Sequence, residues 1–95
     1  VTKKPDRLTG RATLVNALGL HARSAAKIAT AAKAARAGVR LKRGDSEADA
    51  TSVIDILTLA CPAGETLEFI IEDPEDYDIL KNLLDLVNNG FGEKQ

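Results

Sequence analysis

Residues 7–38, RLTGRATLVNALGLHARSAAKIATAAKAARAG, change their period halfway along. From Arg7 to Val15 the chain alternates, with Leu8, Ala12 and Leu14 on one side and Arg7, Arg11 and Thr13 on the other. A period of two marks a half-buried strand. NALGL then reads as a turn. Beyond it Ala25, Ile28, Ala29, Ala32 and Ala35 form one stripe of an amphipathic helix over Ala22–Arg36, with Gly38 placed as its stop. Arg23, Lys27 and Thr30 lie opposite the stripe. Alanine on the buried side lets this helix lie close to whatever it covers, which is how a helix packs on a sheet.

Working outward, Val39–Arg43 and Glu47–Ala50 read as short strands joined by a turn at Gly44 and Asp45. Ser52–Leu59 reads as a short apolar helix, opened by Ser52 with Asp55 at the capping-box offset. CPAG is a turn in which Cys61 suits a small buried position. Thr66–Ile71 is a strand that turns Leu67, Phe69 and Ile71 inward. A last helix starts with Asp73 as N-cap and Pro74 at its first position, carries the stripe Leu80, Leu83, Leu84 and Val87, and ends at Gly90. The order βαββαβα, with amphipathic helices on one face of an antiparallel sheet, predicts an α+β two-layer domain over residues 1–95.

Composition narrows the function. A chain of 95 residues supports one core, burying roughly 60–65% of its extended surface. Thirteen basic and fourteen acidic side chains leave a net charge of −1, which argues against nucleic acid and anionic membranes as partners. The basic residues Arg36, Arg40, Lys42 and Arg43 fit a strand edge guarded by charge better than an RNA surface, because Phe69, Tyr77 and Phe91 are the only aromatics. A single cysteine predicts a reducing, cytoplasmic setting. VTKKPDRLTG has no apolar targeting core, and no run is long enough for a membrane span. One histidine and one distant cysteine do not make a metal site, and no cofactor is expected.

The lone histidine, His21, falls where the turn becomes a helix. A helix start disfavours a cation and welcomes an anion. The fitting chemistry is one in which the imidazole gains negative charge, and imidazole is a nucleophile that carries phosphoryl groups. Such a group would meet the backbone N–H groups of Ala22 and Arg23 and the Arg23 guanidinium. Leu18 and Leu20 flank Gly19, which predicts a turn anchored from both sides. A hydrolase triad is a poor fit, since it needs an orienting carboxylate, a nucleophile and an oxyanion hole.

LGLHARSAAK resembles the active-site stretch of the HPr family, the histidine-containing phosphocarriers of the bacterial phosphoenolpyruvate-dependent phosphotransferase system. SVIDILTLA, the Gly64 turn and the closing NNGFGE extend the resemblance along nearly the whole chain. It implies an open-faced sandwich of four antiparallel strands with three helices on one face. It implies a non-enzymatic carrier whose His21 takes phosphate on Nδ1 from enzyme I and passes it to IIA-type acceptor proteins, with Arg23 stabilising the phosphoryl group. It also implies Ser52 as a target of HPr kinase/phosphorylase. Partner docking falls to Leu20, Ser24, Lys27, Val53, Ile54 and Leu57, on a monomer. Ser24 stands where many family members have proline. The alternative reading is a non-catalytic regulatory module with the same fold, which would take no phosphate.

Overall fold

The computed structural model describes residues 7–93; residues 1–6 and 94–95 of the expected domain lie outside the described residues. Strands β1 (Leu8–Thr13), β2 (Val39–Arg43), β3 (Ser46–Asp49) and β4 (Thr66–Ile71) form one antiparallel sheet in the order β1-β4-β2-β3. Helices α1 (Ala22–Ala32), α2 (Val53–Leu57) and α3 (Tyr77–Asn88) complete the βαββαβα order. This is the four-stranded, three-helix α+β architecture expected. The alternation in β1 holds: Ala12 and Leu14 are buried and Leu8 partly so. They join Leu41, Leu67, Phe69 and Ile71 from the sheet, Ala25, Ile28, Ala29 and Ala32 from α1, and Leu80, Leu83 and Val87 from α3 in one core. Gly10 in β1 admits α3, since a Cβ there would lie 2.7 Å from a Leu84 methyl.

Several boundaries differ from the periodicity, each for a local reason. The first helix stops at Ala32, four residues short of Arg36. The buried Asp76 carboxylate accepts the N–H groups of Arg36 (2.9 Å) and Ala37 (3.0 Å) and draws the chain off the helical path. Asp76, not Gly38, sets that exit. Asp73 and Pro74 open a single 3₁₀ turn, Pro74–Asp76, before α3 proper. Ser52 caps α2, but Asp55 does not complete the box: its carboxylate accepts the Asp49 N–H at 2.7 Å. Strand β2 lies inside the sheet, so its basic residues guard no edge; Arg40 pairs with Glu47 and Arg43 with Glu65. Gly44 takes positive φ in the two-residue β2–β3 turn, and Gly90 does so directly after α3. Cys61 is buried, and burial pushes its thiol above the ordinary range.

Candidate functional site

The site grows out of the turn between β1 and α1. Gly19 has φ +63 and packs so tightly on the loop after α2 that a Cβ would stand 2.6 Å from the Cys61 carbonyl oxygen. Leu20 N–H donates to that same oxygen at 2.9 Å. The turn is therefore anchored by backbone from the far loop. Of its flanking leucines, Leu20 is half-buried, whereas Leu18 is 70% exposed and anchors nothing. Asn16 is wholly buried; its Nδ2 donates to Gly19 O at 2.7 Å and closes the turn from within.

His21 is the N-cap of α1, in extended backbone. Its Nδ1 accepts the Arg23 N–H at 3.3 Å, and the Ser24 hydroxyl accepts the His21 N–H at 3.0 Å. At the other side of the ring, Nε2 lies 2.7 Å from Glu93 Oε2. An N–H aimed at Nδ1 requires a lone pair there, so this pattern assigns the ring proton to Nε2, where the carboxylate accepts it. The arrangement leaves Nδ1 as the nucleophilic nitrogen, turned toward the start of a helix with no acidic residue in its first turn. Ala22 supplies another N–H that no helical carbonyl reaches.

Arg23 and Lys27 line an open depression with Leu18, His21, Ala22, Gly92 and Glu93. Among the described residues no ion pair engages the Arg23 guanidinium. Lys27 Nζ donates to Phe91 O at 2.6 Å. An anion entering here would meet two cations, the first amides of α1 and a ring nitrogen. No group of three or more metal-binding side chains occurs among the described residues, and none of their helices is long and apolar enough to cross a membrane.

Glu93 is the residue that sequence reasoning passed over. Its side chain is only 12% exposed. Burial works to raise its carboxyl, but hydrogen bonds from Asn16 and His21 and the charge of Lys27 outweigh it and hold the group below the usual glutamate range. Seventy-two positions separate it from His21, so no local spacing pairs them. The available signal was its place in the closing NNGFGE.

The expected docking residues divide. Ile54 is 80% exposed, Leu57 is exposed, and Val53 and Leu20 are half-buried. Ser24 corrects its assignment: it is fully buried, and its hydroxyl serves His21 N–H, His21 O and Gly19 O, which leaves no surface for a partner. His21 is only partly open, with 27% of its side chain exposed, because Glu93 covers one edge.

The fold and this histidine-capped helix define a class, small α+β domains that present an imidazole nitrogen and free backbone N–H groups at one helix start. Residues 8–89 match the family model described as "PTS HPr component phosphorylation site". The chain is 35% identical over 81 residues to the phosphocarrier protein HPr of Cupriavidus necator, covering 85% of this chain and 91% of that one. It is 37% identical over 82 residues to the phosphocarrier protein HPr of Pseudomonas aeruginosa, covering 85% and 91%. Among solved structures, HPr-C-His from Thermoanaerobacter tengcongensis superimposes with a TM-score of 0.83 at 25% identity, covering 96% of this chain and all of that one. The chain belongs to the HPr family of phosphocarrier proteins.

Proposed function

We propose that His21 is the phosphoryl acceptor, charged on Nδ1 by phosphorylated enzyme I and discharged to sugar-specific or regulatory IIA-type acceptor proteins. The observation that carries this reading is the orientation of the ring, with its proton on Nε2 and its Nδ1 lone pair at the start of α1. The Nδ1 lone pair attacks phosphorus, the donor's bond to phosphorus breaks, and the electron pair leaves with the donor. The Arg23 N–H that now holds Nδ1 turns to a phosphoryl oxygen, joined by the Ala22 N–H and the Arg23 guanidinium. No proton has to move in the step, so no second acid or base is needed. Transfer onward reverses it.

Docking uses Leu20, Lys27, Val53, Ile54 and Leu57, and the carrier works as a cytoplasmic monomer. Ser52, half-buried at the start of α2, is the site at which HPr kinase/phosphorylase acts. Incubation with phosphoenolpyruvate and enzyme I tests the reading. One acid-labile, alkali-stable phosphate per chain, bonded to Nδ1 by nitrogen NMR, is the expected result. A chain that stays unlabelled is a binding module with a carrier's fold.

A further inference from the structure

Two side chains, His21 and Asn16, converge on the Glu93 carboxylate, and the segment that delivers it is held on both sides. Gly90, Phe91 and Gly92 have φ of 62°, 57° and 74°, three successive residues in the left-handed region. Phe91 holds this conformation although it has a bulky side chain, which disfavours it. Its buried ring anchors the segment from below, and Lys27 Nζ clamps its carbonyl oxygen from above at 2.6 Å. The segment then delivers the Glu93 side chain to His21 Nε2 at 2.7 Å. Asn16 Nδ2 fixes the second carboxylate oxygen at 2.9 Å while also holding Gly19 O. Asn16 Oδ1 is left buried without a partner. Flipping this amide would give Oδ1 two acceptor oxygens to face, so the orphan follows from keeping both donations.

We infer that Glu93, oriented by Asn16, is a positioning residue for phosphoryl transfer, holding the imidazole in the one tautomer that can attack through Nδ1 and balancing the charge of the phosphorylated ring. This rests on His21 being the acceptor. Phosphorylation of Nδ1 with the Nε2 proton retained makes the ring cationic, at a helix end that opposes cations. The carboxylate lies on the far side of the ring from Nδ1, where it meets the Nε2 proton and stays away from the anionic phosphoryl oxygens. A ring paired this way keeps neutral imidazole as its leaving form, because the proton on Nε2 survives the whole cycle. Asn16 supplies what a lone glutamate would lack, a second bond that stops the carboxylate rotating away. Carboxylates that orient a histidine by its second nitrogen fix both tautomer and ring angle in the same manner.

Glu93→Gln gives a sharp test because of Asn16. With Gln Oε1 held by the Asn16 amide, the glutamine presents its NH₂ to His21 Nε2 and demands a lone pair there. The ring proton then moves to Nδ1, the atom that must attack. Imidazole nitrogen shifts should show the proton on Nε2 in the parent and substantially on Nδ1 in Glu93→Gln. Labelling by phosphoenolpyruvate and enzyme I should slow at least about tenfold, the scale on which orienting partners of histidines act. Glu93→Asp, which keeps charge and acceptor but reaches less far, should retain the parent tautomer and recover part of the rate. The inference is overturned if Glu93→Gln labels at the parent rate, or slows with its tautomer unchanged. A parent chain that takes no label removes the carrier reading and this inference together; a labelled parent matched by its variant removes the inference alone.

Discussion

Two helices in this molecule begin with a side-chain cap and differ in what the cap leaves available. At α2, Ser52 Oγ accepts the Asp55 N–H at 3.2 Å, and Asp55 places an acidic group in the first turn. The Asp55 carboxylate reaches back to the Asp49 N–H, and Asp49 in turn accepts from Thr51. The dipole of that helix start already has its negative partner. At α1 the cap is an imidazole nitrogen at 3.3 Å, a long contact, and no carboxylate stands in the first turn. The negative charge nearby, Glu93, meets the far nitrogen of the ring. A cap of oxygen finishes a helix, whereas a cap of nitrogen with a spare lone pair leaves it open to an incoming anion.

The largest effect that would break this contrast is at the nitrogen cap. His21→Ala should abolish labelling by phosphoenolpyruvate and enzyme I. It should also cost about 1 kcal/mol of stability, because Arg23 N–H loses its acceptor. Urea denaturation beside the labelling assay separates the two losses. A variant that labels fully ends the assignment of His21. One that unfolds at room temperature shows that the cap is structural first.

Arg23 comes next. Its guanidinium can make charge-assisted bonds to phosphoryl oxygens that lysine cannot match in planar geometry. Arg23→Ala should slow transfer at least about tenfold, roughly 1.4 kcal/mol of barrier, and Arg23→Lys should recover part of it. Single-turnover rates decide. If both variants run at the parent rate, the amides of α1 suffice.

How far these two helix starts could be read from the chain depends on what set them. The stripes of α1 and α3 and the alternation of β1 and β4 are periodic signals, so the four strands, the sheet face and the position of His21 at a helix start were legible. The end of α1 was not, because Asp76, forty residues on, competes for its backbone N–H groups. Asp55 looked like a box partner by spacing, but Asp49 N–H was a nearer claimant. The family resemblance puts Ser24 among the docking residues, yet it lies one turn before buried Ile28 and the turn folds over its hydroxyl. Asn16 and Glu93 escaped for one reason: their roles come from tertiary contacts across 77 positions, which no local pattern records.

A smaller effect sharpens the oxygen-capped side. Ser52→Ala should cost about 1 kcal/mol, the usual value of a lost serine cap, without touching the chemistry at His21. Ser52→Asp should keep the melting temperature, because a helix start accepts the added charge, and yet slow phosphorylation of His21 by weakening docking. Labelling rates for the two variants over a salt series give the answer. Equal rates at low salt would make Ser52 a cap and nothing more.

The subtlest difference between the two starts is in acid. Both carry a carboxylate below its ordinary range, for different causes. Hydrogen bonds from the Thr51 hydroxyl and then its N–H hold Asp49 down against opposing burial, with Arg40 adding a little. At Glu93 burial pushes upward, and the bonds from Asn16 and His21 with the charge of Lys27 overcome it. A carboxylate lowered in the folded state contributes stability above its unfolded value, and that contribution is lost as pH falls through the folded one. Each tie should therefore be intact at neutral pH, where both groups are ionised. Each should fail below the ordinary carboxylate range of about pH 4, the turn before α2 with Asp49 and the imidazole contact with Glu93. Salt separates them. Screening weakens the Coulombic pull of the Lys27 ammonium more than bonds from a neutral threonine. Carboxyl-carbon NMR titrations in low and high salt should show the Glu93 midpoint rising with added salt and the Asp49 midpoint nearly fixed. If the two move together, charge is not what distinguishes the nitrogen-capped helix, and Glu93 holds the ring by hydrogen bonding alone.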